Sequence, residues 1–189
     1  TQGRFEQDLS KANKLFEKHL NNVPDVYAYP FGEYIPEMSK ILQKHGYMAA
    51  AAQKSGVFYR NGNRYVIPRF PMNEHYGKME KFREKLRMHP LRVVSTDPES
   101  PLVTDKNPPM LKLTVQNKEI NPDNLQCFIN GEKKSVLSWS RDNGTIKIQV
   151  RPEEELQSRR SLYTITAPSD NAQKWFWYSF VWINPQIRE

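Results

Sequence analysis

The chain has 189 residues but a single cysteine, Cys127. It cannot close an intrachain disulfide, and cysteine usage does not identify a redox compartment. No apolar run approaches the roughly 18 residues needed to span a bilayer, which excludes an integral helical membrane protein. Nowhere do two aspartates stand side by side, and the four histidines, His19, His45, His75 and His89, are spaced too widely for a His-x-x-x-His pair. A signal peptide is also missing. The chain opens at Thr1 instead of Met and enters an amphipathic pattern within a few residues, so its start reads as the product of processing, cleavage or design.

What is present is a composition of 38% hydrophobic and 12% aromatic residues, that of a soluble globular protein with one large domain or two small ones. A formal charge of +7 and a pI near 9.4 permit an acidic partner, whether nucleic acid or an anionic cell envelope. The distribution argues against nucleic acid. Lys78, Lys81, Arg83, Lys85 and Arg87 interleave with Glu80 and Glu84 on one predicted helix, the pattern of a solvated face with local ion pairs.

Phe5, Leu9, Ala12, Phe16 and Leu20 fall at helical spacing and predict a helix packed by one side, ended by Asn21-Asn22-Val23-Pro24. A strand from Val26 to Tyr29 then runs into Pro30-Phe31-Gly32. Pro30 has no N–H to give a ladder, and Gly32 allows backbone conformations closed to other residues, so the main chain is held out at the strand's C-terminal end. In α/β folds ligands bind there. Pro36 suits the first turn of a helix with Met38, Ile41, Leu42 and His45 on one face, and Gly46 suits its stop. Tyr47 to Ala52 reads as a buried strand, although its alanines would also fit a helix. Strand, helix and strand predict a parallel βαβ unit.

Val57-Phe58-Tyr59 and Tyr65-Val66-Ile67 flank Asn61-Gly62 and predict a hairpin, and a helix from about Tyr76 to Met88 is expected to turn Met79, Phe82 and Leu86 inward. Between His89 and Pro109 the prolines gather, which reads as an interdomain connection with one strand at Leu91 to Val94. Beyond it the period is two. Leu111–Val115, Leu125–Ile129, Val136–Trp139, Ile146–Val150, Leu162–Thr166 and Trp175–Ile183 make six strands at sandwich-like spacing. The last carries large apolar groups on both faces. One set is expected in the sandwich core, and the other faces the first domain, sugar rings or another chain.

Two stretches carry a family resemblance. Tyr29-Pro30-Phe31-Gly32-Glu33-Tyr34, followed by Ile41-Leu42 and His45-Gly46-Tyr47, resembles the third conserved motif of the polysaccharide deacetylases, the NodB-homology carbohydrate esterases. Ile67-Pro68-Arg69-Phe70-Pro71-Met72-Asn73-Glu74 resembles a segment near the end of that barrel in one bacterial subgroup. Tyr163 to Ser169 and the tryptophan-rich strand are similar to the module that follows the barrel there. The implied fold is α/β plus all-β, a partial (β/α) barrel over residues 1–95 followed by an immunoglobulin-like β-sandwich over 96–189.

The resemblance implies metal-assisted hydrolysis of N-acetyl groups on a hexosamine polymer, outside the cytoplasm: periplasmic, in the cell envelope or secreted. It needs a Lewis-acidic divalent metal, expected to be zinc, a base, an oxyanion donor and an acid for the leaving amine. It assigns the oxyanion donor to the backbone N–H of Phe31, and Tyr29, Pro30, Arg69 and Asn73 to substrate binding. The family's late-strand His aligns with Arg69, which cannot be a general acid at neutral pH, so that role passes to His75 or to no residue of this chain. The Arg that commonly precedes the motif's Pro by two is Ala28 here. An ordinary turn remains the plain reading of the loop.

The paired aspartates and His-x-x-x-His of the family's first two motifs have no counterpart, and one βαβ unit with a hairpin is too little to close a barrel. The chain is therefore expected to be the C-terminal part of such an enzyme, with the metal site in a missing N-terminal half and no activity alone. The competing expectation is a non-catalytic carbohydrate-binding or envelope-interaction protein that uses Trp175, Trp177 and Trp182.

Overall fold

A computed structural model describes residues 2–74, 76–104, 106–116, 118–133 and 135–188. These form a mixed α and β protein, mostly sheet, with three α-helices, ten strands and no closed barrel among the described residues. No helix among them is long and apolar enough to cross a membrane. The chain divides into two compact units, Thr1–Gln53 with Arg60–Pro68, and Lys54–Tyr59 with Arg69–Glu189. Compactness thus parts the chain at 68–69 with one short exchange, where the sequence led us to expect a change at 95–96.

In the first unit, α1 (Gln2–Leu20) buries Leu9 and half-buries Phe5 and Ala12. The same stripe continues through Phe16 and Leu20, but these are exposed, against expectation. A helix of 19 residues is roughly 28 Å long, whereas the strands it meets have three residues each, about 10 Å, so its C-terminal half overhangs them. Asn21 closes it in the left-handed conformation, φ 52°, its N–H donating to the Glu17 carbonyl.

The parallel pairing is as expected: β1 (Val26–Ala28) lies beside β2 (Ala49–Ala51), with Val26 opposite Ala49 and Ala28 opposite Ala51. Between them runs α2 (Pro36–Lys44), with Pro36 in its first turn. It ends in a Schellman motif. Gly46 at φ 84° donates to the Gln43 carbonyl, and Tyr47 donates to that of Leu42. The core collects Leu9, Tyr29, Tyr34, Leu42, Tyr47, Ala50, Ala52 and Val66, with Phe5 and Tyr27 packed on it. Tyr27 meets Phe5, Tyr29 and Tyr47 edge to face, the polarity of the rings favouring that geometry. Two tyrosine hydroxyls here find partners: Tyr47 donates to Asn13 Oδ1 at 2.6 Å, and Tyr65 donates to the Tyr47 carbonyl at 2.8 Å.

The hairpin expected at Asn61-Gly62 does not form. A tight two-residue hairpin turn needs positive φ at its centre, and neither residue takes it. Ile67 instead bridges Ala51 in parallel, donating to the Ala50 carbonyl and accepting from the Ala52 N–H. The ladder edge of β2 offered more to that segment than a partner arm did.

The second unit holds α3 (Met79–Leu86), then β3 (Met88–Pro90), β4 (Val93–Asp97), β5 (Leu111–Val115), β6 (Gln126–Ile129), β7 (Ser135–Asp142), β8 (Thr145–Pro152), β9 (Arg160–Pro168) and β10 (Trp175–Ile183). All six strands expected beyond residue 100 are present. They join two four-stranded sheets, ordered β3-β10-β9-β6 and β4-β5-β8-β7. Both sheets feed one core, in which Leu113, Ile146, Ile148 and Val150 of one meet Tyr163, Ile165, Phe180 and Trp182 of the other. Along β8 the buried Ile146, Ile148 and Val150 alternate with exposed Lys147, Gln149 and Arg151, the period-two pattern of a half-buried strand. Asn143 and Gly144, φ 45° and 78°, turn β7 into β8.

The proline-rich stretch from His89 is not a simple connection. It holds two strands, β3 on one sheet and β4 on the other, and Leu91 is buried where the chain steps between them. Pro90 is tolerated because β3 is an edge strand. The orientation of α3 also departs from expectation: Met79, Phe82 and Leu86 face solvent, while Glu84 and Lys85 are half-buried.

Candidate functional site

The loop after β1 is the most constrained backbone in the first unit. The ladder runs one residue past the strand, Tyr29 N–H donating to the Ala51 carbonyl at 3.1 Å, and Pro30 then stops it. A single 3-10 turn follows, with Gly32 N–H donating to the Tyr29 carbonyl at 2.9 Å and Glu33 N–H to that of Pro30 at 3.1 Å. Two consecutive residues are left-handed, Phe31 at φ 54° and Gly32 at φ 71°. For a bulky residue such as Phe31 this conformation costs about 1–2 kcal/mol, because Cβ crowds the carbonyl.

Gly32 is held against Gln53. A Cβ on Gly32 would stand 2.1 Å from Gln53 Cβ and 2.5 Å from its backbone N, so no side chain fits without moving main chain. The loop is therefore pinned from two sides, by the Ala51 carbonyl at its start and by Gln53 behind it. Phe31 projects from it with its side chain 65% exposed.

Beneath the loop, Tyr29 lies in the core between Tyr27 and Tyr34, ring centroids 5.5 Å from each. Burial pushes the phenols of Tyr27, Tyr29 and Tyr34 above their ordinary value, so the cluster is neutral at physiological pH. The residues expected to work together thus fall into three groups. Tyr29, Pro30 and Phe31 are contiguous, with Pro30 and Phe31 exposed and Tyr29 buried. Arg69 and Asn73 belong to the second unit and are exposed. Arg69 N–H donates to the Lys54 carbonyl, while Asn73 turns the chain, its carbonyl accepting from Tyr76 and Gly77. His75, the expected acid, lies outside the described residues.

The zinc implied by the resemblance needs imidazole, thiolate or carboxylate donors. The loop offers tyrosine, proline, phenylalanine and glycine, and no group of three or more His, Cys, Asp or Glu residues that could hold a metal occurs among the described residues. The described residues do not fit that ion.

Sequence reasoning missed a second constellation, on the face of β10 away from the shared core. Trp177 Nε1 donates to Ser55 Oγ at 3.0 Å, Ser179 Oγ donates to the Ser55 carbonyl, Phe70 meets the Trp177 ring at 5.5 Å, and Lys85 Nζ stands 4.4 Å from that ring's centroid. Tyr178 packs instead against the shared core; Lys54 Nζ lies 5.2 Å from its ring, and burial lowers the Lys54 pKa to about 8. The aromatic run of β10 was the available signal, but its partners come from about 90 to over 120 residues away and have no local mark in the sequence.

No protein-family model matches this chain, and no curated protein matches it.

Proposed function

We propose that this chain is part of a polysaccharide deacetylase that removes N-acetyl groups from a hexosamine-containing cell-wall or exopolysaccharide, with the metal-bearing motifs supplied by a further polypeptide segment. One observation carries the reading. At the C-terminal end of a parallel strand, a non-glycine residue, Phe31, is held left-handed by a loop that Gly32 clamps on Gln53. Strain of this kind persists where the surroundings enforce it and gathers at functional sites. In this reading the fixed main chain at Phe31 presents an amide to the developing oxyanion, where a preorganised donor is worth several kcal/mol. The first unit is then a portion of the (β/α) barrel, the second an immunoglobulin-like sandwich, and the whole works outside the cytoplasm.

The alternative, a carbohydrate-binding protein using the aromatic strand, draws on fewer residues than expected. Trp182 is 1% exposed in the core, and Trp177 is occupied by Ser55, Phe70 and Lys85, which leaves Trp175, 42% exposed.

Native mass spectrometry of the purified protein, with metal content measured on the same sample, tests the proposal. A second polypeptide bound with one metal per complex is the expected result. A lone 22.2 kDa species that acquires neither metal nor partner, yet is retained on polysaccharide, sinks the catalytic reading.

A further inference from the structure

We propose that α3 is an interfacial anchor that docks this chain on an anionic lipid surface. Met79, Phe82 and Leu86 lie at i, i+3 and i+7, so they line one stripe of the helix. They are 60%, 41% and 68% exposed. Met72 and Tyr76, just before the helix, are exposed large side chains as well. The orientation is held from the other side. Lys85 lies against the rings of Trp177 and Phe70 and pairs with Glu84 at 2.9 Å, so a charged side of the helix faces the protein and the apolar side faces out.

Charge is sorted around the stripe. At 3.6 residues per turn, Arg83 borders it on one flank, Lys78 and Arg87 stand exposed at the N-cap and C-cap, and Glu80 and Glu84 lie farther round the helix. Glu84 is already engaged by Lys81 and Lys85. A bare apolar stripe with a cation at its edge and one at each end matches a lipid interface, where side chains enter the acyl boundary and the basic groups meet headgroup charge. A second copy of the chain fits poorly, because pairing two such stripes would set like-charged fringes together. Nucleic acid would meet an apolar centre where it needs cations.

The test is co-sedimentation of the full chain with vesicles of phosphatidylcholine alone or mixed with phosphatidylglycerol, at low and at high salt. Binding is expected on the anionic vesicles only, falling with salt. R83Q/R87Q should weaken it roughly 25-fold, about fivefold for each cation, and F82S/L86S should abolish it with the circular dichroism spectrum unchanged. The proposal is overturned by no binding to anionic vesicles at low salt, by undiminished binding of F82S/L86S, or by sedimentation velocity showing a dimer that F82S/L86S disperses.

Discussion

Replacing Gly32 by alanine tests the clamped loop directly, because the structure supplies an internal control in Gly46. Both glycines have positive φ, 71° and 84°, so both substitutions pay for a left-handed alanine, about 1–2 kcal/mol. They differ in surroundings. A Cβ at Gly46 has no atom within 4 Å, whereas at Gly32 it would stand 2.1, 2.5 and 2.8 Å from Gln53 Cβ, N and Cα. Backbone, not a flexible side-chain end, must give way, and overpacking of this kind costs about 1–3 kcal/mol more. Gly32→Ala should therefore cost about 2–5 kcal/mol in total. With a urea slope of about 2 kcal/mol/M, the extra cost over Gly46→Ala lowers the midpoint by a further ~0.5–1.5 M. Urea titration followed by circular dichroism reads both variants. Midpoints that agree within experimental error refute the clamp, and with it the geometry on which the role of Phe31 rests.

Two further outcomes follow from the second unit. Trp182→Ala should cost about 3–5 kcal/mol by opening a cavity in the shared core, whereas Trp175→Ala should stay within about 0.5 kcal/mol, as measured by thermal or urea unfolding; equal costs would contradict the assignment of faces on β10. Lys54 releases its proton near pH 8 when folded, against an ordinary value of 10.5, so between these values the unfolded chain binds more protons and stability contributed by this group rises with pH. Lys54→Met should remove that rise, and a stability difference between the two proteins that stays constant from pH 8 to 10 would rule out the buried amine.

The parts of the fold that could be read in the sequence are those where periodicity and local chemistry agree. β5 and β8 alternate cleanly, Asn143-Gly144 has the chemistry its turn demands, and α2 carries both its proline start and its glycine stop. What could not be read depends on distant partners. Asn61-Gly62 has a hairpin's composition, but Ile67 finds its hydrogen bonds on β2. Met88-His89-Pro90 has no strand pattern and becomes β3 because β10 offers it a parallel edge. The helical period of α3 defined an apolar stripe without saying which way it turns, and Lys85 on Trp177 decided that. At the candidate site the glycine was legible, but the left-handed Phe31 and the stop at Gln53 were not, since each is imposed by main chain brought in from another strand.

The aromatic excess of β10 illustrates how far composition can suggest a ligand that packing then accounts for. Sugar stacking requires an open ring face on a side chain that solvent can reach. Phe176, Phe180 and Trp182 spend theirs in the core shared by the two sheets. On the opposite face, Trp177 has its N–H on Ser55, its ring against Phe70 and Lys85, and Ser179 bound to the same Ser55, so this face fastens the segments 54–59 and 69–87 to the sheet. In that arrangement Lys85 lies on Trp177 while Met79, Phe82 and Leu86 are exposed. The tryptophans that first suggested a binding platform thereby explain why a basic helix shows its apolar side to solvent.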